Sequence, residues 1–219
     1  MSVTVALVVV IPTLNTQDAL DALLARLPPG TLALVIDDGS TIPIQAPRVI
    51  RHPQNRGYGA AQKSGYAAAL ALGAQHIVLL HGDDQYDTSD TLALVSALAH
   101  APAVLGSRFL ANPGVIPGWR RLGNRFLTGL ANWRFGTRHT ELHSGARAFR
   151  ADLLRSLPLD TYSDDYLFDQ QVLCAILRSR QTLAELPVRV RYDPTVRSIS
   201  PLRAIRYAVG CVWEILAGG

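Results

Sequence analysis

Lysine is almost missing from this chain: Lys63 stands alone among 21 basic residues. The formal charge of +4 is therefore carried by arginine, whose guanidinium fork suits bidentate contact with phosphate oxygens. No block of basic residues interleaved with aromatics occurs, which argues against a nucleic-acid partner. Cysteine is scarce as well. Cys174 and Cys211 have no zinc spacing and sit in apolar, helix-like runs, so they read as buried thiols of a reducing cytosol rather than a disulfide framework. No apolar run reaches the ~18 residues that a membrane span needs. The start, MSVTVALVVVIPTLN, lacks the basic opening and small-residue cleavage site of a signal peptide. The expectation is a soluble cytoplasmic protein, peripheral at the inner face of the plasma membrane at most. Repeats, low-complexity tracts and linkers are missing too, and 219 residues at 48% hydrophobic fit one well-filled domain.

What is present alternates. Val3 to Ile11, Leu32 to Ile36, Val49 to Arg51, His76 to Leu80 and Ala103 to Leu105 read as short buried strands. Helical spacing covers Asp18 to Leu27, Tyr58 to Leu72 and the stretch from Ser89 or Asp90 to His100. The pattern predicts an α/β fold with a mostly parallel sheet flanked by helices. After residue 108 it is less regular. Leu110 to Gly118 reads as a loop, Arg120 to Trp133 as a helix, Ala146 to Arg150 as a strand and Leu167 to Arg180 as a helix. Leu183 to Tyr192 reads as a strand or hairpin broken at Pro187. Pro201 to Leu216 is a closing amphipathic helix, whose arginines and terminal aromatic suit a membrane interface.

Four strands run into polar motifs: PTLN, DDGS, HGDDQ and GSR. Ligands of such sheets bind beyond the carboxyl ends of the strands, so the coincidence marks a site. In LLHGDDQYD the side chains of His81, Asp83 and Gln85 fall on one side of an extended segment. A carboxylate, an amide and an imidazole there could hold Mg2+ or Mn2+, with substrate phosphates filling the shell. Asp84 and Asp87 have a plainer use as helix caps. In NRGYGAAQKSGY two glycines flank a helix start behind Arg56, a place for an anion. It is neither a Walker loop, lacking Gly-Lys-Ser/Thr, nor a Rossmann fingerprint, since it does not follow the first strand.

The ordered set IPTLN, DDGS, NRGYGAAQKSGY, LLHGDDQYD, GSRF, HSGARAF and YLFDQQVL resembles a family 2 glycosyltransferase of the GT-A fold. The branch it resembles is that of dolichyl-phosphate mannosyltransferases, and the resemblance runs from Val8 to about Ser200. It implies a nucleotide-sugar-binding half at about 1–108 and an acceptor-side half at about 109–219. Pro12, Thr13, Asn15, Asp37 and Asp38 would line the nucleotide pocket, supported by Asn55, Arg56, Gly57 and Lys63. Asp83 matches the second aspartate of the family's Asp-x-Asp metal motif and Gln85 the glutamine after it, while His81 replaces the first aspartate. Arg147 matches an arginine near the transferred sugar or acceptor, Asp169 the acidic position beside the acceptor, and Arg197 and Ser198 a late phosphate contact.

The resemblance thus implies an inverting, metal-dependent transferase. The donor would be a UDP- or GDP-linked nucleotide-diphospho-sugar and the acceptor a lipid phosphate or a sugar. Asp169 would be the base for a hydroxyl acceptor, and a bridging metal and arginines would stabilise the departing diphosphate. A sugar nucleotidylyltransferase would want a glycine-rich basic loop after the first strand, which IPTLNTQD does not supply. A non-catalytic nucleotide-sugar binder is the other alternative, supported by the histidine at position 81.

Overall fold

A computed structural model describes residues 5–191 and 201–217. Val5–Thr13 (β1), Gln17–Ala25 (α1), Leu32–Asp37 (β2), Val49–Arg51 (β3), Tyr58–Ala71 (α2), Ala74–Leu79 (β4), Thr88–Ala97 (α3) and Ala103–Ser107 (β5) succeed one another as the patterning predicts. The β-branched run of β1 is buried on both faces. Val8 and Val10 pack with Leu34, Ile36, Tyr66 and Phe168 on one side. On the other, Val9 and Ile11 pack with Leu20, Leu23, Val78 and Leu94. Near-continuous apolar strands of this kind belong to a sheet covered by helices on both faces.

Seven strands form the sheet in the order β3-β2-β1-β4-β6-β5-β7. Arg147–Arg150 (β6) runs antiparallel between β4 and β5, and Leu183–Pro187 (β7) lies parallel at the far edge beyond β5. All other pairings are parallel. The insertion of β6 matters most for the site, because its register sets Arg147 opposite Leu79 at the end of β4.

The stretch read as a loop from Leu110 to Gly118 contains order. Arg108–Ala111 (α4) is one short turn of helix, with Ser107 Oγ accepting from the Leu110 N–H at 3.3 Å. A 3-10 turn follows at Pro113–Val115, where Asn112 Oδ1 accepts from the Gly114 N–H at 3.1 Å. Gly118–Phe135 (α5) then starts two residues before the expected Arg120, and Gly136 ends it in a left-handed conformation, φ 68°. Ala151–Ser156 (α6) was not anticipated. Leu167–Arg178 (α7) and Pro201–Leu216 (α8) stand where helices were expected. Beyond β7 the chain makes one further bridge, Val190 to Tyr86.

Candidate functional site

The carboxyl ends of β1, β2 and β4 converge through backbone bonds that continue the sheet. The Asp38 N–H donates to Thr13 O at 3.0 Å, and the Gly82 N–H donates to Pro12 O at 3.1 Å. Pro12 and Thr13 are buried in this seam. Asn15, held at φ 56°, clamps the first two loops together. Its N–H donates to Ser40 Oγ at 2.8 Å, and its Oδ1 accepts from the Thr41 N–H at 2.8 Å.

The two aspartates of DDGS do different work. Asp37 is fully buried. Its carboxylate accepts from the N–H groups of Ser40 (2.8 Å) and Ile44 (3.2 Å) and from the Arg51 guanidinium. Burial raises its pKa, but those hydrogen bonds and the Arg51 charge prevail and hold it below the usual carboxylate range. Asp38 accepts from the N–H groups of Arg56 (3.0 Å) and Gly57 (2.9 Å) and lies 2.6 Å from Nδ1 of His52. It thereby fixes the loop that opens α2. Gly57 has φ 113°, and a Cβ there would run into the Asp164 carbonyl, so only glycine fits.

Asn55 and Arg56 are exposed at the start of α2. Lys63 lies about one turn and a half further along α2. Its ammonium donates to the Tyr162 carbonyl and pairs with Asp164 at 2.9 Å, walling a polar hollow of about 380 Å3 with Arg56 and Ser64.

At the end of β4 the three residues of the expected metal set are engaged unequally. His81 Nε2 lies 2.6 Å from the Tyr58 hydroxyl, and the imidazole packs on Gly145 so closely that a Cβ there would collide with it. Burial pushes the His81 pKa down while Asp83 pulls it up, with the net shift downward. Burial, then Asp169, raises the Tyr58 pKa well above its usual value. The tyrosine therefore keeps its proton and faces a neutral imidazole. Asp83 is half-buried and, among the described residues, accepts only from the Gln85 N–H, at 3.2 Å. Asp84, at φ 56°, pairs with Arg26 rather than capping a helix. Asp87 is the cap of α3, accepting from the Asp90 N–H at 3.0 Å.

Among the described residues no three His, Cys, Asp or Glu side chains come together around a cation position. A magnesium-like ion that draws most of its shell from phosphates and water needs only one or two carboxylates. Asp83 fits that requirement. Nε2 of the imidazole is taken by Tyr58, which leaves Nδ1 as the nitrogen open to a cation.

Arg147 and Asp169 form a pair. Arg147 is 2% exposed, pairs with Asp169 at 3.2 Å, and also donates to the Ser144 carbonyl at 3.1 Å and the Asp169 carbonyl at 3.2 Å. Asp169 also accepts from Gln62 Nε2 at 2.8 Å, and Gln62 Oε1 accepts from the Tyr66 hydroxyl at 2.8 Å. Gln62, Tyr58 and Tyr66 were not singled out from the sequence, although their spacing of four puts them on one face of α2. Glu141 was missed as well. It is fully buried and accepts from Arg108 Nε at 2.7 Å and Asn124 Nδ2 at 2.7 Å, so the arginine of GSR has a fixed carboxylate beside it. Arg197 and Ser198 lie outside the described residues.

Comparison with known proteins places this site in context. The profile of the family described as Glycosyl transferase family 2 matches residues 8–157. Undecaprenyl-phosphate mannosyltransferase of Micrococcus luteus is 26% identical over 202 residues, covering 82% of this chain and 81% of that protein. UDP-N-acetylglucosamine–dolichyl-phosphate N-acetylglucosaminyltransferase of Methanococcus voltae is 27% identical over 148 residues, which span 65% of this chain and 59% of that protein. The crystal structure of glucosyl-3-phosphoglycerate synthase from Mycobacterium tuberculosis in complex with Mn2+, UDP and glucosyl-3-phosphoglycerate superposes with a TM-score of 0.70. At 19% identity over 97% of this chain and 79% of that one, the likeness establishes the fold, which is of the GT-A type.

Proposed function

The chain belongs to glycosyl transferase family 2, and from that premise we propose that it transfers a sugar, with inversion, from a UDP- or GDP-linked donor to an acceptor. The acceptor is a polyprenyl-type lipid phosphate or a sugar, in keeping with the names of its relatives, and the setting is cell-envelope glycan assembly at the inner face of a membrane. The observation that carries the reading is the pairing of β4 with β6. It brings the buried Arg147–Asp169 pair alongside the strand end that bears His81 and Asp83.

Each residue then has a role. Pro12, Thr13 and Asn15 form the wall of the nucleotide half. Asp37 holds the DDGS turn, and Asp38 holds the loop that presents Asn55, Arg56 and Gly57. Lys63 steadies the same side through Asp164. Arg197 and Ser198 remain assigned to phosphate contact. Cleavage of the sugar–diphosphate bond builds negative charge on the leaving group, and Arg147 provides preorganised positive charge in a site nearly closed to water. A divalent cation, Mg2+ or Mn2+, would supply Lewis-acid stabilisation of that group, with Asp83 and the Gln85 amide as the residues that would hold it. His81, held through Nε2 by Tyr58, would complete that set through Nδ1.

Asp169 has its two oxygens aimed by Gln62 and Arg147, which suits it to take a proton from a hydroxyl acceptor. A phosphate acceptor needs no base, since its second ionisation lies near ~6. The test is nucleoside diphosphate release from UDP- and GDP-sugars, with and without Mn2+, in the presence of a polyprenyl phosphate or a soluble sugar. Donor binding without turnover on any acceptor would overturn the reading in favour of a binding protein. Pyrophosphate release from a nucleoside triphosphate and a sugar phosphate would point instead to a nucleotidylyltransferase.

A further inference from the structure

Tryptophan is oddly placed in this fold. The chain has three, and all lie largely outside: Trp119 is 61% exposed, Trp133 74% and Trp213 70%. Rings of that size ordinarily bury most of their surface. They belong to two stripes. Trp119, Leu122, Phe126 and Trp133 project from one side of α5, and Ile205, Val209, Trp213 and Leu216 from one side of α8. The spacings of three, four and seven are those of a single helical face. The opposite faces are already used, with Leu127, Thr128 and Ala131 of α5 and Cys211 and Ile215 of α8 buried. The two helices pack together, and an apolar groove of about 280 Å3 runs between them along Leu127, Ala208 and Val212.

Charge identifies what covers this surface. The 18 residues of α5 include Arg120, Arg121, Arg125 and Arg134 and no aspartate or glutamate. At about 100° per residue, Arg121 and Arg125 fall on one flank of the apolar stripe and Arg134 on the other. On α8, Arg206 is exposed, while its one acid, Glu214, turns inward to Arg178 at 2.8 Å. An apolar stripe bearing tryptophans and edged by arginine matches the headgroup zone of a bilayer that carries negative lipid. A second copy of the chain would set these arginines against one another.

We infer that α5 and α8 together form a docking plate for the surface of an anionic membrane. Among the described residues no helix is long and apolar enough to cross a membrane, so the plate rests in the interface. The closing helix was expected to have this use on its own; α5 doubles the surface and supplies most of the charge. The plate is also tied to the site. Asn124 on the inner side of α5 donates to Glu141 at 2.7 Å, and the Tyr207 hydroxyl of α8 lies 3.0 Å from Nδ1 of His143. The inference stands on exposure and charge, and it would hold even if the acceptor proved to be a soluble sugar.

The test needs no catalysis. The full chain is mixed with phosphatidylcholine vesicles, with or without about 30% phosphatidylglycerol, and tryptophan emission and co-sedimentation are followed. Expected are a blue shift, quenching by brominated acyl chains, and pelleting with the anionic vesicles that falls about tenfold or more in ~0.5 M salt. Trp119→Ser with Phe126→Ser should keep the far-ultraviolet circular dichroism of the parent and lose pelleting. Arg125→Glu with Arg134→Glu should do the same. Equal binding to neutral and anionic vesicles would overturn the anionic-lipid assignment. Blue-shifted emission without lipid, together with a dimer in the ultracentrifuge, would give the face to a second copy and overturn the plate.

Discussion

The Tyr58 hydroxyl and Nε2 of His81 share a hydrogen bond of 2.6 Å, joining the first turn of α2 to the motif at the end of β4. This bond decides which nitrogen of the imidazole is open to a cation. Tyr58→Phe removes only the phenol oxygen and should cost about 1 kcal/mol of stability, the usual net worth of one hydrogen bond. Mn2+ affinity measured with UDP present should stay within about twofold of the parent. A tightening of about tenfold would show that the phenol competes with the cation for Nε2, and the assignment to Nδ1 would be wrong.

Asp37 and Asp83 offer a clean contrast between a carboxylate that builds a site and one that serves it. Asp37→Ala strips acceptors from the Ser40 and Ile44 N–H groups and leaves Arg51 without its counter-charge. Unfolding should become easier by about 3 kcal/mol, read as a lower urea midpoint. Asp83→Ala loses one bond at the rim and should unfold within about 1 kcal/mol of the parent. Calorimetry should nonetheless show its metal-dependent UDP affinity reduced by tenfold or more. A stable Asp37→Ala protein, or an Asp83→Ala protein with full metal-dependent binding, would reverse these assignments.

The two aspartates also show where sequence reading reaches its limit. Both occupy matched motif positions, yet burial separates them, and burial depends on the packing of β2 against β1 and β3. The alternation of strands and helices was legible because apolar runs and glycine breaks repeat at the right lengths. The position of β6 was not, since nothing local to Arg147–Arg150 states that it enters the sheet antiparallel between β4 and β5. Arg147 and Asp169 could be picked out by motif. Gln62, which holds Asp169 from 107 residues away, looked like part of an alanine-rich helix. His52 and Glu141 carried no motif at all, and only the fold shows them meeting Asp38 and Arg108. The apolar spacing in α5 was readable, but the choice of which face stays outside belongs to tertiary packing.

Arg147 and Asp169 should be separable into structural and chemical contributions. Asp169→Asn leaves a buried guanidinium short of its counter-charge, a loss of about 3 kcal/mol by analogy with broken buried pairs, along with roughly 10²-fold or more in transfer to a hydroxyl acceptor. The double variant Arg147→Met, Asp169→Leu removes both charges and should recover much of the stability. It should stay inactive. Recovery of transfer in the double variant would mean that the pair only braces α7 against β6, and the base would have to be sought elsewhere.

His143 gives the fold a pH dependence whose sign can be worked out. Burial, and then the charges of Arg147 and Arg108, push its pKa down from 6.5 to about 3. The unfolded chain takes up a proton as pH falls through 6.5, while the folded one refuses it until about 3. Protons therefore favour the unfolded state throughout that interval, so stability is full above 6.5 and declines on acidification. His81, shifted the same way, adds to the decline. The carboxylates held low, such as Asp37 and Glu185, lose their contribution only as pH drops through the carboxylate range near ~4, so the interval from about 6.5 to 5 reports on histidine. The urea midpoint of the parent should fall steadily across it. In His143→Gln, whose amide can still accept from the Tyr207 hydroxyl, the slope should shrink by roughly half, with little change in midpoint at pH 7. An unchanged slope would mean that His143 is protonated with ease in the folded protein, and that the two arginines beside it do not set its charge.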